Sequence, residues 1–472
     1  MANTESAAAL WLPKGKKTLV QIGTICLTVS VACYGLALST LVAPILERMD
    51  AMGYVSLFSI FSSLGITIMT PIGGKLGDLF GRKMVILIAG IACILFGIGV
   101  AYAPNLPLLM VCRLGVGFAQ GAFVAAPYII VGLINEKKDV PKAMGLLAAA
   151  LSVGGFGGSM VAGFLTDMGM LKAAILFPAI PLLLGILLIG FCYPDDRKKV
   201  QANIDIVGIG LLVTALCGIL LPLNYGLSMR WTSPIILGGF VIGIVFIIAL
   251  IRYEARAEQP IIPVKLFKNK NYLALVLIGC ACHFYRGAMD VYSPLGAMNV
   301  MGVSTTVAGS LQFPRTLVTM FLPVLAGAWV AKKKTNLWKA LAIASAFTAF
   351  PMLAMGFTTS ASSVLLYFVA LTITGVAESF RGVSITPAAQ NCLKAEEIGV
   401  GTSMINFANS LTGSLAAAIY GVVYNWFTLN DPTNTRNIQN GVNAVFLTAG
   451  AVTLIGLFLV LLWVRPMLER QQ

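Results

Sequence analysis

Eight consecutive residues, His283-Phe284-Tyr285-Arg286-Gly287-Ala288-Met289-Asp290, set three ionisable side chains inside an apolar run from about Tyr272 to Leu295. At about 100° per residue, His283, Arg286 and Asp290 fall within an arc of roughly 60° on one helix face. Charged groups at membrane depth are costly and turn toward a protein interior or a water-filled path. Other apolar runs contribute Arg113, Arg315, Glu378 and Arg381. Four arginines thus stand against two carboxylates, leaving an interior excess of two positive charges with His283 neutral. The planar arginine fork suits a carboxylate, sulfonate or phosphate in bidentate fashion, so this inventory predicts anion recognition. Arg286 and Arg315 are the expected anion contacts, with Tyr285, Gln312, Asn406 and Asn409 as hydrogen-bonding wall residues.

Asp290, Glu378 and His283 are the groups whose charge could change during a cycle, with Arg113 and Arg381 as the further residues expected in proton coupling, and histidine titrates most readily near neutral pH. His283 reads equally as a neutral core residue, and Asp290 as a structural partner of Arg286 or Arg315. Glu378 and Arg381 are three apart and can pair along one helix. Counting from Thr305 at 1.5 Å per residue puts Arg315 about 15 Å deep, near mid-membrane, with the Glu378–Arg381 pair nearer the inner side.

The elements that hold these residues are membrane spans. The chain is 58% hydrophobic and 11% charged, where a soluble protein carries about 25% charged residues. Apolar runs of about 20 residues recur throughout, the length that crosses a bilayer. Fourteen spans are read at 18–41, 53–73, 84–102, 106–132, 143–165, 172–192, 205–225, 233–252, 272–295, 305–330, 337–357, 362–387, 398–424 and 441–464. The class is an all-α polytopic membrane protein. The run after Lys14, Lys16 and Lys17 is too long for a signal-peptide core and reads as the first span.

An even span count puts both termini on one side. With both termini cytoplasmic, the inner loops and tails hold 24 of the 32 Lys and Arg residues, the outer loops four and the spans four. That split follows the positive-inside rule and accounts for the net charge of +14. The basicity is topology and contact with acidic lipid, so no nucleic-acid partner is expected. Most of the nine cysteines lie in apolar runs, Cys280 and Cys282 point to different helix faces, and there is one histidine. No metal, cofactor, nucleotide loop or nucleophile arrangement follows from this, and an enzyme is not expected. The chain divides into residues 1–200, two further helices in 201–253, an inner linker over 254–270 broken by Pro260 and Pro263, and residues 271–472.

Several motifs carry a family resemblance. Gly73-Gly74-Lys75-Leu76-Gly77-Asp78-Leu79-Phe80-Gly81-Arg82-Lys83 resembles the inner-loop signature of the major facilitator superfamily. Its glycines permit a tight turn and close helix approach, Asp78 can cap a helix, and Arg82 and Lys83 can pair with neighbouring acids. Arg113-Leu114-Gly115-Val116-Gly117 is similar to the span-four segment that the superfamily associates with proton coupling, with Val116 where glutamine is usual. Gly145, Gly154, Gly155, Gly157, Gly158 and Gly163 resemble the antiporter signature of span five, with Ser159 in the proline position and Ala162 in a glycine position. Asp205, Gly208, Ala308-Gly309 and Pro314 add to the likeness.

Together these resemble the fourteen-helix branch of drug:proton antiporters. The resemblance implies a major facilitator fold of two six-helix bundles, spans 1–6 and 9–14, plus two extra central helices. It also implies alternating access around a central cavity, with Gly74, Asp78, Gly81, Arg82, Gly154 and Gly158 in the conformational gates. Efflux members of that branch carry an acid in span one about nine residues before a proline; the matching position before Pro44 is Gly35. The profile is similar in character to the bacterial bile-acid:proton symporters. The expected function is import of an organic anion with protons by a monomer in the plasma membrane. Proton-driven efflux of drugs or metabolites is the alternative.

Overall fold

The computed structural model describes residues 12–51, 54–194, 205–257, 260, 262–333, 335–428, 431 and 434–469. The tail 1–11 and linker positions 258, 259 and 261 fall outside the described residues. Helices account for the fold, with no strand among the described residues. In chain order they are α1 (Lys14–Thr40), α2 (Val42–Glu47), α3 (Val55–Phe80), α4 (Arg82–Tyr102), α5 (Leu106–Phe123), α6 (Ala126–Ile134), α7 (Val140–Asp167), α8 (Leu171–Leu176), α9 (Ala179–Cys192), α10 (Ile206–Met229) and α11 (Pro234–Glu254). There follow α12 (Lys270–Phe284), α13 (Ser293–Asn299), α14 (Thr305–Ser310), α15 (Phe313–Lys332), α16 (Thr335–Met355), α17 (Leu365–Asn391), α18 (Ile398–Thr428), α19 (Thr435–Leu459) and α20 (Arg465–Glu469).

Among the described residues, twelve helical segments are long and apolar enough to cross a membrane. Helices α3 and α18, of 26 and 31 residues, have the length as well. All backbone hydrogen bonds of an α-helix close within the segment, which is why helices are the solution for apolar stretches of this length.

Two compact units emerge. The first comprises Met1–Ile219, Val241–Lys265 and Leu393–Phe407; the second comprises Leu220–Phe240, Leu266–Cys392 and Ala408–Gln472. The helices read as an inserted pair, α10 and α11, are divided between the two units, and the opening turns of α18 belong to the first.

In the first unit α1 packs on α7 and α9, and α5 packs on α3 and α4. Its core gathers Leu27, Tyr34, Leu38, Phe58 and Phe123. Glycine sets the α1–α7 approach: a Cβ on Gly154 would lie 2.8 Å from Val29 Cα, and one on Gly158 2.8 Å from Cys33 Cα. Small residues are what let two membrane helices come this close. Between α3 and α4 the chain turns on Gly81 alone, at φ 88°, a left-handed conformation that glycine adopts without strain.

In the second unit α17 packs on α15 and α16, and α19 on α12 and α16. Its core gathers Tyr285, Met289, Tyr292, Tyr367, Tyr420 and Phe446. Two of its passes are interrupted. The apolar segment Lys270–Asn299 breaks after Phe284 and runs as π-helix over Ala288–Tyr292 before α13 begins with Pro294 in its first turn. The next pass turns at Leu311 and Gln312 between α14 and α15. The sequence reading treated each as one regular helix. Irregular backbone at membrane depth persists only where its polar groups find other partners, and here they do. Tyr420 Oη donates to the Phe284 carbonyl at 2.8 Å. The Met289 carbonyl accepts from Ser293 Oγ and, at 3.4 Å, from Gln312 Nε2.

Candidate functional site

The two interruptions in the second unit face each other, and the charged residues collect there. Arg315 lies in the first turn of α15, just past its cap Gln312. Its Nη2 donates to Tyr285 Oη at 3.2 Å. Tyr285 Oη in turn donates to Glu378 Oε2 at 3.2 Å. Arg381 Nε donates to the same Oε2 at 3.0 Å, and Arg381 Nη2 binds Oε1. Glu378 is therefore gripped on both oxygens by one guanidinium, the strong fork geometry, and takes a phenol hydroxyl besides.

Gly375 makes this approach feasible. A Cβ there would come 3.0 Å from the Arg315 carbonyl oxygen, so the glycine lets α17 lie close against α15. Glu378 follows three residues later on the same helix face. The sequence reading missed Gly375; its spacing from Glu378 is the signal that could have marked it. The Tyr285 hydroxyl links Arg315 to the Glu378–Arg381 pair. Tyr285 is thus the hub of the cluster and not simply a wall residue, and it is 1% exposed.

Arg286 and Asp290 form a looser pair. Arg286 Nε stands 3.8 Å from Asp290 Oδ2, and both side chains are about half exposed, at 48% and 52%. The π-helical turn replaces the regular helix on which the stripe of His283, Arg286 and Asp290 was drawn, yet the last two still meet. The charges acting on His283 are Arg381, Arg286, Glu378 and Arg315. Its Nδ1 has no hydrogen-bond partner among the described residues. Two further atoms at the interruption share that condition: Arg315 Nε and Gln312 Oε1. Counting this cluster alone, three arginines stand against two carboxylates.

The remaining sequence-derived residues make contacts of their own. Asn406 bonds back to the Thr402 carbonyl of its own helix at 3.1 Å, in the part of α18 that belongs to the first unit. Asn409, in the second unit, rests against Gly279 of α12, where a Cβ would be 3.5 Å from its Oδ1. Arg113, in the first unit, is 4% exposed. Its Nε donates to the Phe58 carbonyl at 3.4 Å, and its guanidinium lies 4.7 Å over the Phe58 ring.

The inner-loop motif is also in the first unit. Asp78 pairs with Arg82, one turn apart across Gly81, and no side chain caps the N-terminus of α4. This differs from the capping role expected of Asp78. The pair packs against Gly399 at the start of α18, where a Cβ would meet Arg82 Nη2 at 2.6 Å. Gly74 likewise leaves no room for a Cβ against Ser403. Lys83 Nζ donates to the Tyr193 carbonyl at 3.0 Å. Among the described residues no group of His, Cys, Asp and Glu could hold a metal ion.

Comparison with known proteins agrees with this architecture. The family model described as Major Facilitator Superfamily matches residues 22–417. The chain is 26% identical over 419 residues to the multidrug transporter protein MdtP of Bacillus subtilis (strain 168), covering 87% of this chain and 76% of that one. It is 25% identical over 406 residues to citrate exporter 1 of Yarrowia lipolytica (strain CLIB 122 / E 150), covering 82% of this chain and 58% of that protein's length. The crystal structure of the human organic anion transporter MFSD10 (TETRAN) matches with a TM-score of 0.68 at 15% identity, over 95% of this chain and 100% of that one. At that identity the likeness is one of fold.

Proposed function

From the premise that this chain belongs to the major facilitator superfamily, and is therefore a multi-pass membrane transporter and not an enzyme, we propose that it carries an organic anion together with protons into the cell. One observation carries the reading. Arg315 has an unpartnered Nε, while the nearby carboxylate, Glu378, is already held on both oxygens by Arg381. A buried guanidinium with unused donors attracts a carboxylate, sulfonate or phosphate. Arg286 supplies a second cation on the same stretch.

The loose Arg286–Asp290 pair gives a route to coupling. A proton on Asp290 cancels its attraction for Arg286, and the freed guanidinium turns to the anion. Anion binding and protonation then favour each other, and by linkage each raises the affinity for the other. An amphipathic carboxylate such as a bile acid is the substrate class suggested by the resemblance in character. In this reading fourteen spans cross the plasma membrane, both termini are cytoplasmic, and the monomer works within the bilayer.

A second reading, efflux by proton antiport, is supported by the names of the multidrug and citrate-exporting relatives. Against it stands α1. The position expected to carry the antiporter acid is Gly35, and among the described residues nothing lies within 4 Å of where its Cβ would be.

The test uses purified protein in proteoliposomes with an acid-outside pH gradient and labelled bile acid or citrate. Gradient-dependent accumulation that an ionophore abolishes supports import. Asp290→Asn should keep anion exchange and lose uphill accumulation; accumulation by that variant would remove Asp290 from the coupling role. Movement of cationic dyes against the gradient, with no anion uptake, would establish the efflux reading.

A further inference from the structure

Gln312 and Arg315 sit three residues apart at the start of α15, so their side chains are neighbours, with roughly 5–6 Å between Cβ atoms. Both reach to the same interrupted segment. Gln312 Nε2 donates to the Met289 carbonyl at 3.4 Å, and Arg315 Nη2 donates to Tyr285 Oη, one turn earlier. The Met289 bond fixes the amide: a carbonyl oxygen accepts only, so the NH2 end must face it and Oε1 must turn away. Oε1 is then an acceptor with no donor, and Arg315 Nε, three residues on, is a donor with no acceptor. Both atoms are buried, and orphaned buried polar atoms are costly and call for a partner. A lone anion answers only one of them. It accepts from Arg315 Nε but repels Gln312 Oε1.

Resting on the organic-anion reading above, we propose that the substrate carries a hydroxyl or N–H donor close to its anionic group. The anion takes Arg315 Nε, and the donor takes Gln312 Oε1. The substrate class is accordingly a hydroxylated or amide-bearing organic anion, and Gln312 is the residue that selects it. A site built to bond a hydroxyl discriminates against the analogue lacking it far better than an apolar wall separates two sizes, because the analogue leaves the acceptor unpaired. The tertiary arrangement decides this. A glutamine whose NH2 were unoccupied could rotate to serve either a donor or an acceptor, whereas the Met289 carbonyl leaves only the acceptor.

The experiment measures binding to the purified full chain with matched probes that differ by one hydroxyl on the carbon that bears a carboxylate: citrate against tricarballylate, and mandelate against phenylacetate. The hydroxylated member of whichever pair binds should be tighter by about tenfold or more. Gln312→Met, which keeps the length and removes the acceptor, should bring that ratio close to one. Equal affinity within the pairs in the unaltered protein overturns the selection by Gln312 and leaves the anion reading standing. A preference that persists in Gln312→Met also overturns it. Failure of all four anions to bind overturns the anion reading and this inference with it. If Gln312→Met does not fold, the ratio in the unaltered protein decides.

Discussion

Each unit buries arginine, and the two do so by different means. In the first, Arg113 is met by a backbone carbonyl and the face of Phe58. The partners are neutral and belong to the packing. In the second, Arg315 and Arg381 converge through Tyr285 on one carboxylate, and a donor is left over. On the proposed reading, a buried charge serves binding when its partners are themselves polar and incompletely used. The backbone differs in parallel. The first unit joins α1 and α7 through glycines and interrupts two passes of its own, between α5 and α6 and between α8 and α9, but only in the second do the interruptions hold the charge cluster. An interrupted helix exposes carbonyls and donors that a continuous one keeps to itself.

The comparison can be broken most sharply at Glu378. Glu378→Gln leaves Arg381 buried without its counter-charge and should cost about 3–5 kcal/mol, read as a large fall in the thermal unfolding midpoint in detergent. A stability close to that of the unaltered protein would mean that the arginines do not depend on this carboxylate. Next in size is Arg315→Ala, expected to weaken anion binding by about a hundredfold in an equilibrium binding assay, since truncating a buried charge partner typically costs about 2–5 kcal/mol.

Gly158→Ala should follow, because its Cβ would press on Cys33; overpacking costs about 1–3 kcal/mol. Gly35→Ala, on the same helix as Cys33 but with open space around it, should stay within about 0.5 kcal/mol. The two thermal midpoints, measured side by side, test whether the close α1–α7 approach is where the first unit gains its stability. The smallest effect on binding belongs to Arg113→Met. It should leave the anion Kd unchanged and cost no more than about 2 kcal/mol of stability, the hydrogen bond to Phe58 being its main loss. Intact binding with lost accumulation would instead move Arg113 into the coupling machinery and erase the distinction between the units.

Much of the fold was legible in the chain because it rests on composition. Apolar runs of bilayer length, the split of Lys and Arg between loops, and the Gly73–Lys83 motif are local features, and a membrane leaves few other structures open to them. The membership of Arg286, Arg315, Glu378 and Arg381 in the candidate site was legible for a similar reason, since charge in an apolar run must be matched by something. What a helix wheel could not supply was the break after Phe284 with its π-helical turn and its hub tyrosine, or the side chains of Gln312 and Tyr420 that meet the Met289 and Phe284 carbonyls. Gly375 had no meaning until α15 lay against it.

The sequence by itself determined that this is a helical membrane protein with cationic groups at membrane depth, because the cost of charge in lipid depends on residue type and span length alone. Only the tertiary structure decided which of those cations are already satisfied and which atoms are left over. Hydrogen bonds are directional and short, and whether Arg315 Nε or Gln312 Oε1 has a partner depends on where three separate helices put their side chains.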